Sequence, residues 1–122
     1  MAELFYSKDH EWIRFDDSTT ASVGVTKFAV EQLGDIVHIE INDIDSEVEA
    51  EDSFGTIEST KTVSDLYLPI SGTITAINED LIESPESLQD ADDGIKWIAK
   101  IKYTKKDGEL MSKTEYQKFI ED

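Results

Sequence analysis

Apolar and polar positions alternate with a period of two along much of this chain. Ala21, Val23 and Val25 alternate with Ser22, Gly24 and Thr26, and Val37, Ile39 and Ile41 with His38, Glu40 and Asn42. Leu66, Leu68 and Ile70 alternate with Asp65, Tyr67 and Pro69, and Trp97, Ala99, Ile101 and Tyr103 with Ile98, Lys100 and Lys102. Period two, punctuated by Gly and Asp, predicts half-buried antiparallel strands. Many short strands in one small unit predict an all-β domain, two antiparallel sheets packed as a flattened barrel or sandwich. The expected core is Ile13, Val23, Val25, Phe28, Leu33, Val37, Ile39, Leu66, Leu68, Ile74, Trp97, Ala99 and Ile101.

Two helices interrupt the strands. Thr26 is placed to cap a short helix near residues 26–33, with Phe28, Val30 and Leu33 inward and Gly34 ending it. Ser112-Lys113-Thr114-Glu115 has capping-box spacing, and Tyr116, Phe119 and Ile120 make one apolar stripe, predicting a C-terminal helix over about 113–120. Residues 83–93, rich in Asp and Glu, read as an acidic loop. With no linker or repeat, residues 1–122 are expected to be a single domain.

Composition narrows the function. Apolar residues make up 39% of the 122, enough for a modest core. No apolar run approaches the ~20 residues of a membrane span, and the N-terminus lacks a secretory signature. Asp and Glu number 28 against 11 Lys and Arg, a formal charge of −17. That field repels phosphate backbones and anionic lipid, so neither nucleic acid nor membrane is an expected partner. It favours a soluble monomer steered toward basic patches on other proteins. Cysteine is absent, which excludes disulfides and thiolate chemistry from the chain itself. There is no glycine-rich phosphate loop, nucleophile elbow or zinc-ligand spacing. Asp90, Asp92, Asp93 and Gly94 lack the spacing and final Glu of a calcium loop.

One residue stands out against this background. Lys61 lies between Thr60 and Thr62, midway between two extended runs, in a hairpin expected around residues 55–72. Pro69, Ile70, Ser71 and Gly72 end the second run and stiffen it. An amine held up at a rigid tip suits an enzyme that must acylate one lysine among many, with Glu58 as a carboxylate three residues away. A lone lysine is ordinarily a solvated surface residue; this context argues otherwise.

Glu58-Ser59-Thr60-Lys61 followed by Val63-Ser64-Asp65-Leu66-Tyr67 and Pro69-Ile70-Ser71-Gly72 closely resembles the lipoylation segment of the glycine cleavage system H-protein family. Tyr6-Ser7-Lys8-Asp9-His10-Glu11-Trp12-Ile13 resembles that family's N-terminal block. Gly24-Val25-Thr26-Lys27-Phe28-Ala29 with Gln32-Leu33-Gly34-Asp35-Ile36-Val37 resembles its helix and following strand. Leu110-Met111 through Tyr116 and Phe119 resembles its C-terminal helix. The likeness covers nearly the whole chain.

The resemblance implies the antiparallel barrel-sandwich hybrid of lipoyl- and biotinyl-carrier domains, and a non-catalytic shuttle. Lys61 would carry lipoic acid in amide linkage, attached by a lipoate-attaching enzyme that recognises Glu58. Glycine decarboxylase would load an aminomethyl group, a tetrahydrofolate-dependent aminomethyltransferase would take the one-carbon unit, and dihydrolipoamide dehydrogenase would reoxidise the dithiol. The loaded arm would fold into a surface cleft where Glu11 and Asp65, with Asp9 and Ser64 nearby, hold its ammonium. The bland reading of Glu11 is a solvated strand residue, and of Asp65 a turn residue. For His10 packing is the preferred reading, and for Trp12 the core.

The implied setting is the bacterial cytoplasm, or the mitochondrial matrix for a processed eukaryotic form. The chain departs from the family in the loop Leu88 to Trp97, where only Trp97 keeps register, and in the turn Asn42-Asp43-Ile44-Asp45. A lipoate relay protein, donating lipoyl groups to 2-oxoacid dehydrogenase subunits, is the alternative reading. A biotin carrier would place Met on both sides of the lysine, where this chain has Thr60 and Thr62. A hydrolase using His10 and Glu11 is the weakest alternative.

Overall fold

The structure, a computed structural model, describes residues 3–89 and 91–121. Among these residues nine strands form two antiparallel sheets. The first sheet runs β1 (Leu4–Tyr6), β2 (Glu11–Phe15), β3 (Thr20–Val25), β9 (Ala99–Lys102), β8 (Gly72–Ile77) and β5 (Glu47–Val48), in that spatial order. The second runs β4 (Ile36–Ile41), β6 (Ser53–Ser59) and β7 (Val63–Tyr67). Three short α-helices, α1 (Lys27–Leu33), α2 (Glu79–Glu83) and α3 (Lys113–Glu121), complete it. The two antiparallel sheets are those expected from the alternation, packed as a sandwich and not closed into a barrel.

The inward faces of both sheets share one core. Ile13, Val23, Ala99 and Ile101 from the larger sheet meet Ile39, Ile57 and Leu66 from the smaller, all essentially removed from water. Burying each such side chain is worth roughly 1.5–3 kcal/mol. A second cluster, Tyr6, Trp12 and Tyr116, glues α3 to the edge of the larger sheet. Gly24 permits it, because a Cβ there would lie 2.4 Å from the indole of its cross-strand partner Trp12.

Several expected core positions are different. Val37 is 49% exposed while Ile36 is buried, because β4 carries a bulge between Ile36 and His38. An extra residue in one strand resets which face each side chain takes. Trp97 is only partly buried against the second cluster, and Ile98 takes the fully buried place before β9 begins. Phe28 and Leu33 are half-buried, leaving Val30 as the buried residue of α1.

The acidic stretch is more ordered than expected. Its start belongs to α2, and Pro85–Leu88 form a 3-10 turn, with Leu81 and Leu88 buried beneath. Asp90 of that stretch lies outside the described residues. Among the described residues no helix is long and apolar enough to cross a membrane. Among the described residues, no group of three His, Cys, Asp or Glu side chains could hold a metal ion.

Candidate functional site

Lys61 sits at the tip joining β6 to β7, exposed as the spacing predicts. Its turn is tied on three sides. Ser59 N–H donates to the Thr62 carbonyl at 2.8 Å, and the Ser59 hydroxyl accepts from both Lys61 N–H and Thr62 N–H at 3.2 Å. Thr60 N–H donates to the Asp35 carbonyl at 3.0 Å, which pins the tip to the start of β4. Ser59 is buried, so this anchor is shielded from water. Among the described residues no carboxylate pairs with the Lys61 amine. A primary amine on a fixed backbone, with its charge left free, fits an acyl group in amide linkage.

The lysine stem lies across Gly34, the residue that ends α1. Gly34 has φ 91°, and a Cβ there would come within 3.2 Å of Lys61 Cε. Thr26 caps the other end of α1, its hydroxyl accepting from Ala29 N–H at 3.2 Å.

Between α1 and β7 lies a cleft of about 320 Å³. Phe28, Ala29 and Leu33 supply an apolar wall, and Ser64, Asp65 and Leu66 the opposite one. Asp9, His10 and Glu11 also line it. The structure therefore places Glu11, Asp65, Asp9 and Ser64 around one hollow. Glu58 is elsewhere, exposed on the outer face of the small sheet between His38 and Val63 in register.

Glu11 is only 2% exposed, so the solvated-strand reading does not hold. The turn before it explains this. His10 N–H donates to the Ser7 carbonyl at 3.1 Å and His10 itself takes φ 70°, a left-handed conformation that turns the chain into β2. The Ser7 hydroxyl donates to Glu11 Oε1 at 3.0 Å, and Tyr67 N–H donates to Oε2 at 3.4 Å. Burial pushes the Glu11 carboxyl up to about 8, opposed by the Ser7 and Tyr67 hydrogen bonds and reinforced by the charge of Asp9. At neutral pH the group is mostly protonated, and an arriving cation would draw it into its charged form.

Asp65 is exposed at the cleft rim, within 3.4 Å of the Ser53 hydroxyl and 3.5 Å of the Tyr67 hydroxyl. His10 packs against Phe28, Tyr116 and Phe119, and its Nδ1 lies 2.8 Å from the Tyr116 hydroxyl. Desolvation lowers its pKa, so it is kept as a packing residue at the cleft wall.

The loop that departs from the family does not appear among the described lining residues. It braces other elements. Gln89 Oε1 accepts from Ile36 N–H at 2.7 Å, and Asp93 Oδ1 accepts from Lys27 N–H at 2.7 Å at the head of α1.

This arrangement can be set beside known proteins. The profile described as "Glycine cleavage H-protein" matches residues 4–122. The chain belongs to the glycine cleavage H-protein family. It is 42% identical over 120 residues to the glycine cleavage system H protein of Herpetosiphon aurantiacus, covering 98% of this chain and 92% of that one. It is 43% identical over 122 residues to that of Rippkaea orientalis, covering 98% and 92%. The crystal structure of a glycine cleavage system H protein from Mycobacterium marinum superposes with a TM-score of 0.91 at 34% identity, over 100% of this chain and 99% of the other. H proteins are lipoyl carriers, components of a system that are not themselves catalytic.

Sequence reasoning missed several members of the site. Ser7 went unassigned although it lies four residues before Glu11, because nothing in the pattern shows a left-handed turn at His10. The Tyr67 amide and the α1 wall were equally invisible, being products of the tertiary packing.

Proposed function

We propose that Lys61 carries lipoic acid in amide linkage. The chain would then take an aminomethyl group from glycine decarboxylase to a tetrahydrofolate-dependent aminomethyltransferase, and electrons to dihydrolipoamide dehydrogenase. The single observation that carries this reading is the exposed Lys61 amine, unpaired among the described residues, on a hydrogen-bonded turn beside a cleft containing the buried Glu11 carboxyl. The bound group would supply the disulfide chemistry that a chain without cysteine lacks.

The protein's own residues do the rest. The Ser59 anchor holds the attachment point still while leaving it accessible to the lipoate-attaching enzyme, for which Glu58 on the outer face is a recognition carboxylate. Glu11 and Asp65, with Asp9 and Ser64 close by, hold an ammonium brought by the arm through charge-assisted hydrogen bonds, each about twice as strong as a neutral one. The apolar wall of Phe28, Ala29 and Leu33 keeps water from the arm. Family membership, and the meeting of Asp9, Glu11, Ser64 and Asp65 around one cleft, support the assignment.

The relay alternative gains nothing from the altered loop, since the described part of that loop braces α1 and β4. Glycine–bicarbonate exchange with a glycine decarboxylase tests the proposal. Lipoylated protein should support exchange and Lys61→Arg should not. Exchange retained by Lys61→Arg would refute it.

A further inference from the structure

The outer edge of β7 carries a backbone donor without a partner at the distance an arm on Lys61 would need. Among the described residues β7 pairs with β6 alone, so its other edge carries no strand. The Thr62 carbonyl accepts from Ser59 N–H across the hairpin. Val63 N–H belongs to the same planar trans peptide and so points the opposite way, off the edge of the sheet. Tyr67 N–H also leaves the hairpin ladder, and it meets Glu11. By the period of two, Val63, Asp65 and Tyr67 direct their backbone groups to this one edge. A row of outward amides thus runs from the lysine turn to the buried carboxyl, meeting the cleft wall at Asp65. By the same alternation the β6 ladder uses neither the Val63 nor the Asp65 amide, and among the described residues neither donates across a turn or loop.

Lengths match this row to an acyl-lysine. A lysine stem extends about 6 Å from Cα to Nζ, and two strand residues advance about 6.6 Å. An amide formed on Lys61 therefore reaches Val63 once the stem swings from Gly34 to lie along β7. A lipoyl-lysine arm extends roughly 14 Å, and four strand residues advance about 13 Å, so laid along β7 its head would reach Asp65, two residues short of the Tyr67 amide that meets Glu11. We propose that the amide carbonyl of an acyl arm on Lys61 accepts a hydrogen bond from Val63 N–H when the arm lies in the cleft. The edge of β7 then fixes the root of the arm while Glu11 and Asp65 hold its head. A trans amide points its N–H away from its carbonyl, so one bond is made and the N–H turns toward α1 or water. Fixing the root removes rotational freedom before the head is bound, which is how preorganisation strengthens a weak contact. This inference rests on the carrier reading of Lys61.

Amide hydrogen exchange and carboxyl signals of the full chain, labelled with nitrogen-15 and carbon-13, test it. The chain, lipoylated on Lys61 and reduced, is compared before and after treatment with formaldehyde and ammonia, which convert a thiol to an aminomethyl thioether with loss of water. Exchange at Val63 should slow by about fivefold or more, the worth of one net hydrogen bond. Unchanged exchange at Val63, with the carboxyl signals of Glu11 and Asp65 shifted, would overturn the edge bond and leave the cleft reading standing. Unchanged exchange with those carboxyl signals also still would overturn both. Val63→Pro deletes this donor, which the β6 ladder does not use, at an edge position that tolerates proline. Its loaded group should be lost to water about fivefold faster than in the parent, and equal loss would overturn the proposal.

Discussion

Glu11 shows how one residue changes chemistry when its neighbours take it out of water. An exposed glutamate is charged at neutral pH, but here burial holds the proton on up to about pH 8. The linkage has a definite sign. Between the ordinary carboxyl value and about 8 the folded state keeps a proton that the unfolded state releases, so stability falls as pH rises through that window, by up to about 1.4 kcal/mol per pH unit. Below the window both states are protonated and the effect is complete. Glu11→Gln keeps an acceptor for Ser7 and Tyr67 but cannot ionise. We predict that urea unfolding shows Glu11→Gln close to the parent near pH 4.5 and more stable by at least about 2 kcal/mol at pH 8. A parallel pH dependence for the two proteins would show that Glu11 is ionised in the fold. The same variant should hold a loaded ammonium less well, because it gains no charge to pair with it. Lys61 was legible from its flanking residues. The burial of Glu11 was not, because it depends on a left-handed His10 and on Tyr67, 56 positions away in the chain.

At the scale of elements, α1 and α3 were readable because each writes its cap into the sequence. Thr26 and Gly34 bracket α1, and Ser112 with Glu115 forms the reciprocal box, at 2.8 Å and 3.2 Å, that opens α3. The failures came where tertiary contacts overrule a local pattern. The bulge in β4 moves Val37 outward even though its alternation with Ile39 and Ile41 is unbroken in sequence. The acidic stretch hid α2 because its only inward residues are Leu81, half-buried Ile82 and, in the next turn, Leu88. Gly34 is where an element and the site meet, since it both ends α1 and supports the Lys61 stem. Its backbone, at φ 91° and ψ −144°, lies in a region open essentially to glycine. Gly34→Ala should therefore destabilise the fold by about 1–3 kcal/mol in denaturant titrations. A change below experimental error would mean that the turn relaxes freely and does not fix the stem.

For the molecule as a whole, the alternation gave two sheets and a shared core, while charge set how the protein meets its surroundings. A net charge of −17 repels itself in the compact state and attracts basic surfaces at a distance. Both effects shrink as the Debye length falls from about 30 Å at 0.01 M salt to about 3 Å at 1 M. The urea midpoint should accordingly rise with sodium chloride over that range, while association with a basic partner slows. A midpoint that falls with salt would indicate that the three ion pairs seen among the described residues outweigh the repulsion, which their access to water argues against. Intact mass spectrometry, with peptide mapping, of protein made in lipoate-competent cells tests the central claim most directly. The account predicts one lipoyl increment, located on Lys61 and lost in Lys61→Arg; an unmodified chain, or a lipoyl group on any other lysine, would contradict it.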